Sequence, residues 1–311
     1  MKDQGKTMKD LRLVQFKTTD NILLPGLLFE PKIKTKKVAI NLHGNGSSSV
    51  FYEYDLNNAF STELNKKNIS FFTFNNRGAL NVKKLKIEAN GETEDIKLGT
   101  AYEVIKDCIK DIDGAIKYLE NIGYREFYLL GHSTGANKIC VYNFYKPQNK
   151  ITKYVMFGGG DDTGIFHDWV GGSKKFKKYL KQAREQIDKG NGRKTIPKYI
   201  VDYMLSYQSF YDTCNPDGDY NTFPFNEYIN KLKLSKKTLF REYKSIKKPT
   251  LVVYGEKDEY CYGDVERIVD ILKQKAPSKN LFDFEIIENA DHGFNGYEKD
   301  LAKVIAKWLS G

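Results

Sequence analysis

The pentapeptide Gly131-His132-Ser133-Thr134-Gly135 sets a serine between two glycines. It falls where the apolar run 126–130 (EFYLL) gives way to helix-like spacing from about 133 to 145. A strand, a G-x-S-x-G bend and a helix in that order hold a serine oxygen exposed at the carboxyl end of a sheet. Side chains at 131 or 135 would collide with the neighbouring strand and helix, hence the glycines. The helix behind the serine turns the positive end of its dipole toward it. A serine hydroxyl attacks only when a base takes its proton and an acid orients that base. For a serine on such a bend the chain order is serine, acid, histidine. His292, in ENADHGFNGYE, lies between the last strand-like and last helix-like segments and is the candidate base. Asp258, in VVYGEKDEY, follows the next-to-last strand and is the candidate acid, with Asp161 or Asp162 as its competitor. The Gly-x-x-Asp turn favours Asp258 because it projects the carboxylate toward the loop edge.

Attack on a carbonyl builds an oxyanion, which backbone N–H groups must meet. Thr134, directly after the serine, supplies one. The loop NLHGNGSSS supplies the other, from Asn45 or, failing that, Gly46. Of the remaining histidines, His43 precedes Ser133 and shapes its loop, His132 packs inside the bend, and His167 lies in a later segment. None has metal-ligand spacing. HGNGSSS also lacks the Gly-Lys-Ser/Thr ending of a phosphate loop. Neither a metal nor a cofactor is expected.

The elements that must position these groups are mostly short apolar runs separated by helical stretches. Residues 11–18 and 22–30 read as two strands joined at Asp20-Asn21. Further strands read at 36–42, 69–75, 126–130, 152–157, 249–255 and 281–287. Helical spacing appears over 53–66, 100–119, 133–145, 263–275 and 297–309, and the polar stretch 80–97 reads as a loop. This alternation predicts an α/β fold, a mostly parallel central sheet with helices on both faces and an N-terminal antiparallel hairpin. It breaks at 160–248, which reads as a helical cap inserted after the sixth strand into a core of 1–159 and 249–311. Within that segment Phe176, Leu180, Ala183 and Ile187 share one face of a helix at 174–188.

Taken together, His43-Gly44-Asn45-Gly46, Asn76-Arg77-Gly78, the serine pentapeptide, Gly255-Glu256-Lys257-Asp258 and Asp291-His292-Gly293 make the chain resemble the α/β-hydrolase superfamily. The resemblance spans most of the chain. It implies a serine nucleophile, a Ser-Asp-His triad, no cofactor and usually an ester substrate. NNRG, GHSTGANK and AREQIDKGNGRKTIP look, less specifically, like the poorly characterised group that includes fungal siderophore esterase-like proteins. The chain departs from that pattern at Ala79-Leu80, where related chains often carry His or Gly.

Composition bounds the alternatives. Net charge is +10, but 160–248 alone holds 18 Lys and Arg against 11 Asp and Glu, so it supplies +7. A basic segment on a near-neutral body argues against a nucleic-acid partner and for a solvated surface. Its Lys and aromatic residues favour a medium-sized substrate with an aromatic or acidic part. No run approaches the roughly 18 apolar residues of a membrane span, so no stable membrane insertion is expected. The opening MKDQGKTMKDLRL lacks an apolar leader. Cys108, Cys140, Cys214 and Cys261 lie far apart and read as reduced thiols of a cytoplasmic protein. The expected function is a serine hydrolase cleaving the carboxylic ester of a small-molecule substrate through an acyl-enzyme. The alternatives are an amide, thioester or C–C bond hydrolase on the same triad, and a catalytically silent small-molecule-binding protein. A membrane-surface lipase docking through 174–188 is a further class. Oligomeric state is not readable.

Overall fold

Strand residues alternate between two faces, so a sheet whose strands are apolar throughout needs cover on both sides. The computed structural model, which describes residues 11–311, supplies that cover. The reading of the N-terminus as lacking a leader rests largely on residues 1–10, which lie outside the described residues. Strands β1 (Leu11–Lys17), β2 (Leu23–Phe29), β3 (Lys37–Leu42) and β4 (Ser70–Phe74) open the chain, with α1 (Tyr54–Lys66) between the last two. Then come a separate pair, β5 (Lys83–Ala89) and β6 (Glu92–Leu98), followed by α2 (Cys108–Asn121), β7 (Glu126–His132), α3 (Thr134–Tyr145) and β8 (Ile151–Phe157). After a long insertion the pattern closes with β9 (Thr250–Gly255), α9 (Val265–Lys275), β10 (Phe282–Ile287) and α10 (Glu298–Ser310). The main sheet has eight strands in the order β1-β2-β4-β3-β7-β8-β9-β10. β1, β2 and β4 pair antiparallel and every later pairing is parallel.

The period of two is visible in the packing. Val38, Ile40, Leu129, Met156 and Val252 face α2, α3 and α9 in one core. Their neighbours Ala39, Tyr128, Leu130, Val155 and Leu251 face α1 and α10 in the other. Arg77, just past β4, ties this frame together. It is buried and donates to Asp111 of α2 and to Asp20 of the β1–β2 turn, at 2.7–3.0 Å. Asn76-Arg77-Gly78 thus clamps three elements.

The segment between β8 and β9 contributes α4 (Asp162–Trp169), α5 (Ser173–Asp188), α6 (Tyr207–Cys214), α7 (Phe225–Asn230) and α8 (Arg241–Lys244). Its first part has a small core of its own, including Phe166, Phe176, Ala183, Ile200 and Phe210. Its second part does not: Phe223, Phe225, Phe240 and Tyr243 join the main core. The apolar face of α5 points into the small core, with Phe176 and Ala183 buried and Leu180 and Ile187 packed beside them. That face is satisfied within the chain. Among the described residues no helix is long and apolar enough to cross a membrane.

Two readings change. Residues 80–97 are not a loop but the β5–β6 hairpin, closed by Asn90 and Gly91 with φ of 52° and 82°. An Asn-Gly pair with both φ positive is the preferred two-residue hairpin turn. Leu85, Ile87 and Ile96 pack on the main core, but the charged residues alternating with them mask the pattern. The helix expected from Thr100 starts at Cys108, after two short 3₁₀ turns at Thr100–Tyr102 and Ile105–Asp107.

Candidate active site

Ser133 stands between β7 and α3 with φ 53° and ψ −124°. That is the first central position of a type II′ turn, which normally takes glycine. The backbone holds it there: its N–H donates to the Phe157 carbonyl at 2.9 Å. A Cβ at Gly131 would collide with the carbonyl of Gly135, and a Cβ at Gly135 with that of Leu42. Gly44 is needed for the same reason, since a Cβ there would lie 2.9 Å from that of Ser133. The strand, the helix and the loop at Gly44 approach closely only because these positions lack side chains.

Asp258, in the loop after β9, is buried, and its Oδ2 lies 2.9 Å from Nδ1 of His292. Its Oδ1 accepts the Tyr260 N–H at 3.0 Å. The Tyr260 ring meets the imidazole edge-on at 4.6 Å between centroids. Burial disfavours the charged imidazole, but the hydrogen bond and charge of Asp258, with Glu259 and Asp162, outweigh it and raise the His292 pKa. Ser133 and His292 line one cavity of about 540 Å³. Among the described residues no hydrogen bond joins them; binding commonly tightens such contacts.

The competing acids do different work. Asp161 caps α4, accepting the N–H groups of Gly164 and Asn226 at 2.7 and 2.6 Å. Asp162 lines the cavity and accepts the Thr134 hydroxyl at 3.1 Å. Burial pushes their pKa values up to about 7 and about 6. Neither is hydrogen-bonded to His292. The backbone N–H of Thr134 opens α3, where no intrahelical acceptor exists. Neither it nor the Asn45 N–H meets an acceptor among the described residues. Gly46 turns the loop at φ 65°.

Burial holds two of the other histidines, His43 and His132, neutral. His43 is buried, accepts the Asn76 N–H on Nε2 and donates from Nδ1 to Gly44 O at 2.8 Å. Burial lowers its pKa to about 3. His167 bonds Asp168 and Ser173 inside the insertion. His132 does more than pack. Its Nε2 donates to the His292 carbonyl at 2.8 Å, its ring stacks on Phe157, and burial takes its pKa down to about 4. The sequence carries no local signal for that bond, which links residues 160 apart. Trp169, Tyr203 and Tyr260 also line the cavity, but among the described residues no lysine or arginine does. The basic residues of 160–248 therefore lie elsewhere, and they give no reason to expect an acidic substrate. Among the described residues no group of three or more His, Cys, Asp or Glu side chains has the geometry to hold a metal ion.

The family model described as "Protein of unknown function (DUF1749)" matches residues 99–310. The chain belongs to this family. No curated protein gives a significant match. Among solved structures, Est1E from Butyrivibrio proteoclasticus with ferulic acid bound is 13% identical, with a TM-score of 0.63 over 95% of this chain and 98% of that one. The α/β hydrolase GrgF from Penicillium sp. sh18 is 13% identical, with a TM-score of 0.59 over 96% of each chain. An esterase from Pyrococcus furiosus is 17% identical, with a TM-score of 0.55 over 96% of this chain and 90% of that one. The fold of this DUF1749 chain is the α/β-hydrolase fold.

Proposed function

We propose that the protein is a serine hydrolase that cleaves a carboxylic ester. The observation that carries this reading is the Asp258–His292 hydrogen bond at 2.9 Å, on the wall of the cavity into which the strained Ser133 also opens. Ser133 Oγ attacks the ester carbonyl while Nε2 of His292 takes its proton. Asp258 fixes the tautomer with the proton on Nδ1 and stabilises the imidazolium. The N–H groups of Thr134 and Asn45 receive the oxyanion. The imidazolium then protonates the leaving alcohol, and an acyl-enzyme remains. Water gives a proton to His292 and attacks the acyl carbon, freeing the acid and restoring Ser133. No cofactor enters this sequence. Residues 160–248 act as the cap: Ile165, Phe166, Trp169 and Tyr203 from its first part line the cavity and select substrate. The Pyrococcus furiosus neighbour, named an esterase, and the ferulic acid bound to Est1E support an ester among the bonds this fold can hydrolyse. Four buried, unpaired cysteines support a reducing, cytoplasmic setting.

A fluorophosphonate probe tests the assignment. Wild type should be labelled and should hydrolyse p-nitrophenyl esters; Ser133→Ala should do neither. Equal labelling of the two proteins would end the proposal.

A further inference from the structure

The cavity that holds Ser133 is charged unlike the molecule around it. The chain carries +10, yet among the described residues the cavity wall contains Glu53, Asp55, Asp162 and Glu298 and no basic residue other than histidine. Two of these carboxylates are fixed in place beside the reacting centre. Asp162 opens α4 and is held by the hydroxyl of Thr134, the residue next to the nucleophile. Its other oxygen accepts no hydrogen bond from the described residues. Glu53, just before α1, is held by the hydroxyls of Ser47 and Ser49 at 2.7 and 2.9 Å, and Ser47 also lines the cavity. The charges of His292 and Lys138 both reach Asp162, but Lys138 is already paired with Glu103 at 2.6 Å, and among the described residues neither donates a hydrogen bond to the Asp162 carboxylate.

The rest of the wall is aromatic. Trp169 and Tyr203 from the insertion, Tyr260 after β9, and Tyr52 and Tyr54 before α1 border the space. Trp169, Tyr52 and Tyr54 are 56%, 77% and 61% exposed, so their rings are not spent on packing. Carboxylate oxygens and aromatic faces attract the same kind of ligand group, a cation with little hydration, and carboxylates repel an anion.

We propose that the ester cleaved here carries a cationic group, an ammonium or quaternary ammonium, held between Asp162 and the aromatic wall while its carbonyl faces Ser133. The proposal rests on the hydrolase reading of the same site. Asp162, with its pKa raised to about 6 by burial, is ionised at pH 7.5.

Butyrylcholine and 3,3-dimethylbutyl butyrate have one shape and differ by one charge, which makes them the decisive pair. Followed by acid release at pH 7.5, kcat/KM should favour the cationic ester by about tenfold or more, the order of a partly desolvated cation–π contact with a facing carboxylate. Asp162→Asn should bring the ratio toward one. Choline should inhibit p-nitrophenyl acetate hydrolysis by wild type more strongly than 3,3-dimethylbutanol does, a comparison that needs no variant. Equal kcat/KM for the two esters, equal inhibition by the two alcohols, or a ratio untouched by Asp162→Asn would overturn the cation site. Absence of fluorophosphonate labelling and of p-nitrophenyl acetate turnover would instead overturn the hydrolase reading beneath it.

Discussion

In the proposed mechanism His292 has to be neutral to accept a proton from Ser133 and charged to hand it on. Its pKa is raised above the ordinary 6.5 because Asp258, Glu259 and Asp162 outweigh the burial of the ring. The neutral ring is the base, so kcat/KM should rise with pH through that raised pKa and be small on its acid side. Asp258→Asn removes both the hydrogen bond and the nearest charge. The inflection should then move to lower pH and kcat should fall by roughly 10³- to 10⁴-fold. A pH–rate series on the two proteins measures both effects; an inflection that stays put would uncouple Asp258 from His292. At this scale the sequence was informative where chemistry leaves an order along the chain. The proposed triad of Ser133, Asp258 and His292 follows such an order. His132 donating to a carbonyl 160 residues away follows none.

At the scale of elements, α3 is buried nearly all round, down to Lys138 at 1% exposure. Its ammonium meets Glu103, itself 3% exposed, in the segment that winds toward α2. Removing one partner of a buried pair strands the other charge, so Lys138→Met should cost about 3–5 kcal/mol. Adding Glu103→Leu should recover much of that loss. Urea unfolding of the single and double variants gives the comparison; a double variant no more stable than Lys138→Met would mean that Lys138 matters for its packing alone. This pair also explains a misread boundary. The sequence from Thr100 has helical periodicity, but Glu103 must turn inward to Lys138, and the chain makes two 3₁₀ turns before α2 begins. The β5–β6 hairpin left one sequence signal, the Asn90-Gly91 turn, which the loop reading passed over. Its lysines and glutamates hid it, because they alternate with only a few apolar residues that reach the core.

For the molecule as a whole, the parallel sheet was legible because strands buried on both faces are mostly apolar without a polar alternation, as in β4 and β9. The insertion was legible only as an interruption. Its share of the net charge said nothing of the cavity beneath it, because charge summed along a sequence does not reveal which side chains face inward. Its first part is held by the small core around Phe166, Phe176 and Phe210, apart from the two cores of the sheet. Phe176→Ala should destabilise that part by about 3–5 kcal/mol. Hydrogen exchange should quicken across 166–214 while β7, β8 and β9 keep their protection. Uniform quickening through the sheet would instead mean that insertion and sheet unfold as one unit. Phe166 belongs to that small core and also lines the cavity that holds Ser133. Heating should therefore loosen the chamber roof while the strands below remain ordered. The temperature at which turnover peaks would then report the weaker of two structures, some degrees short of the melting point of the sheet.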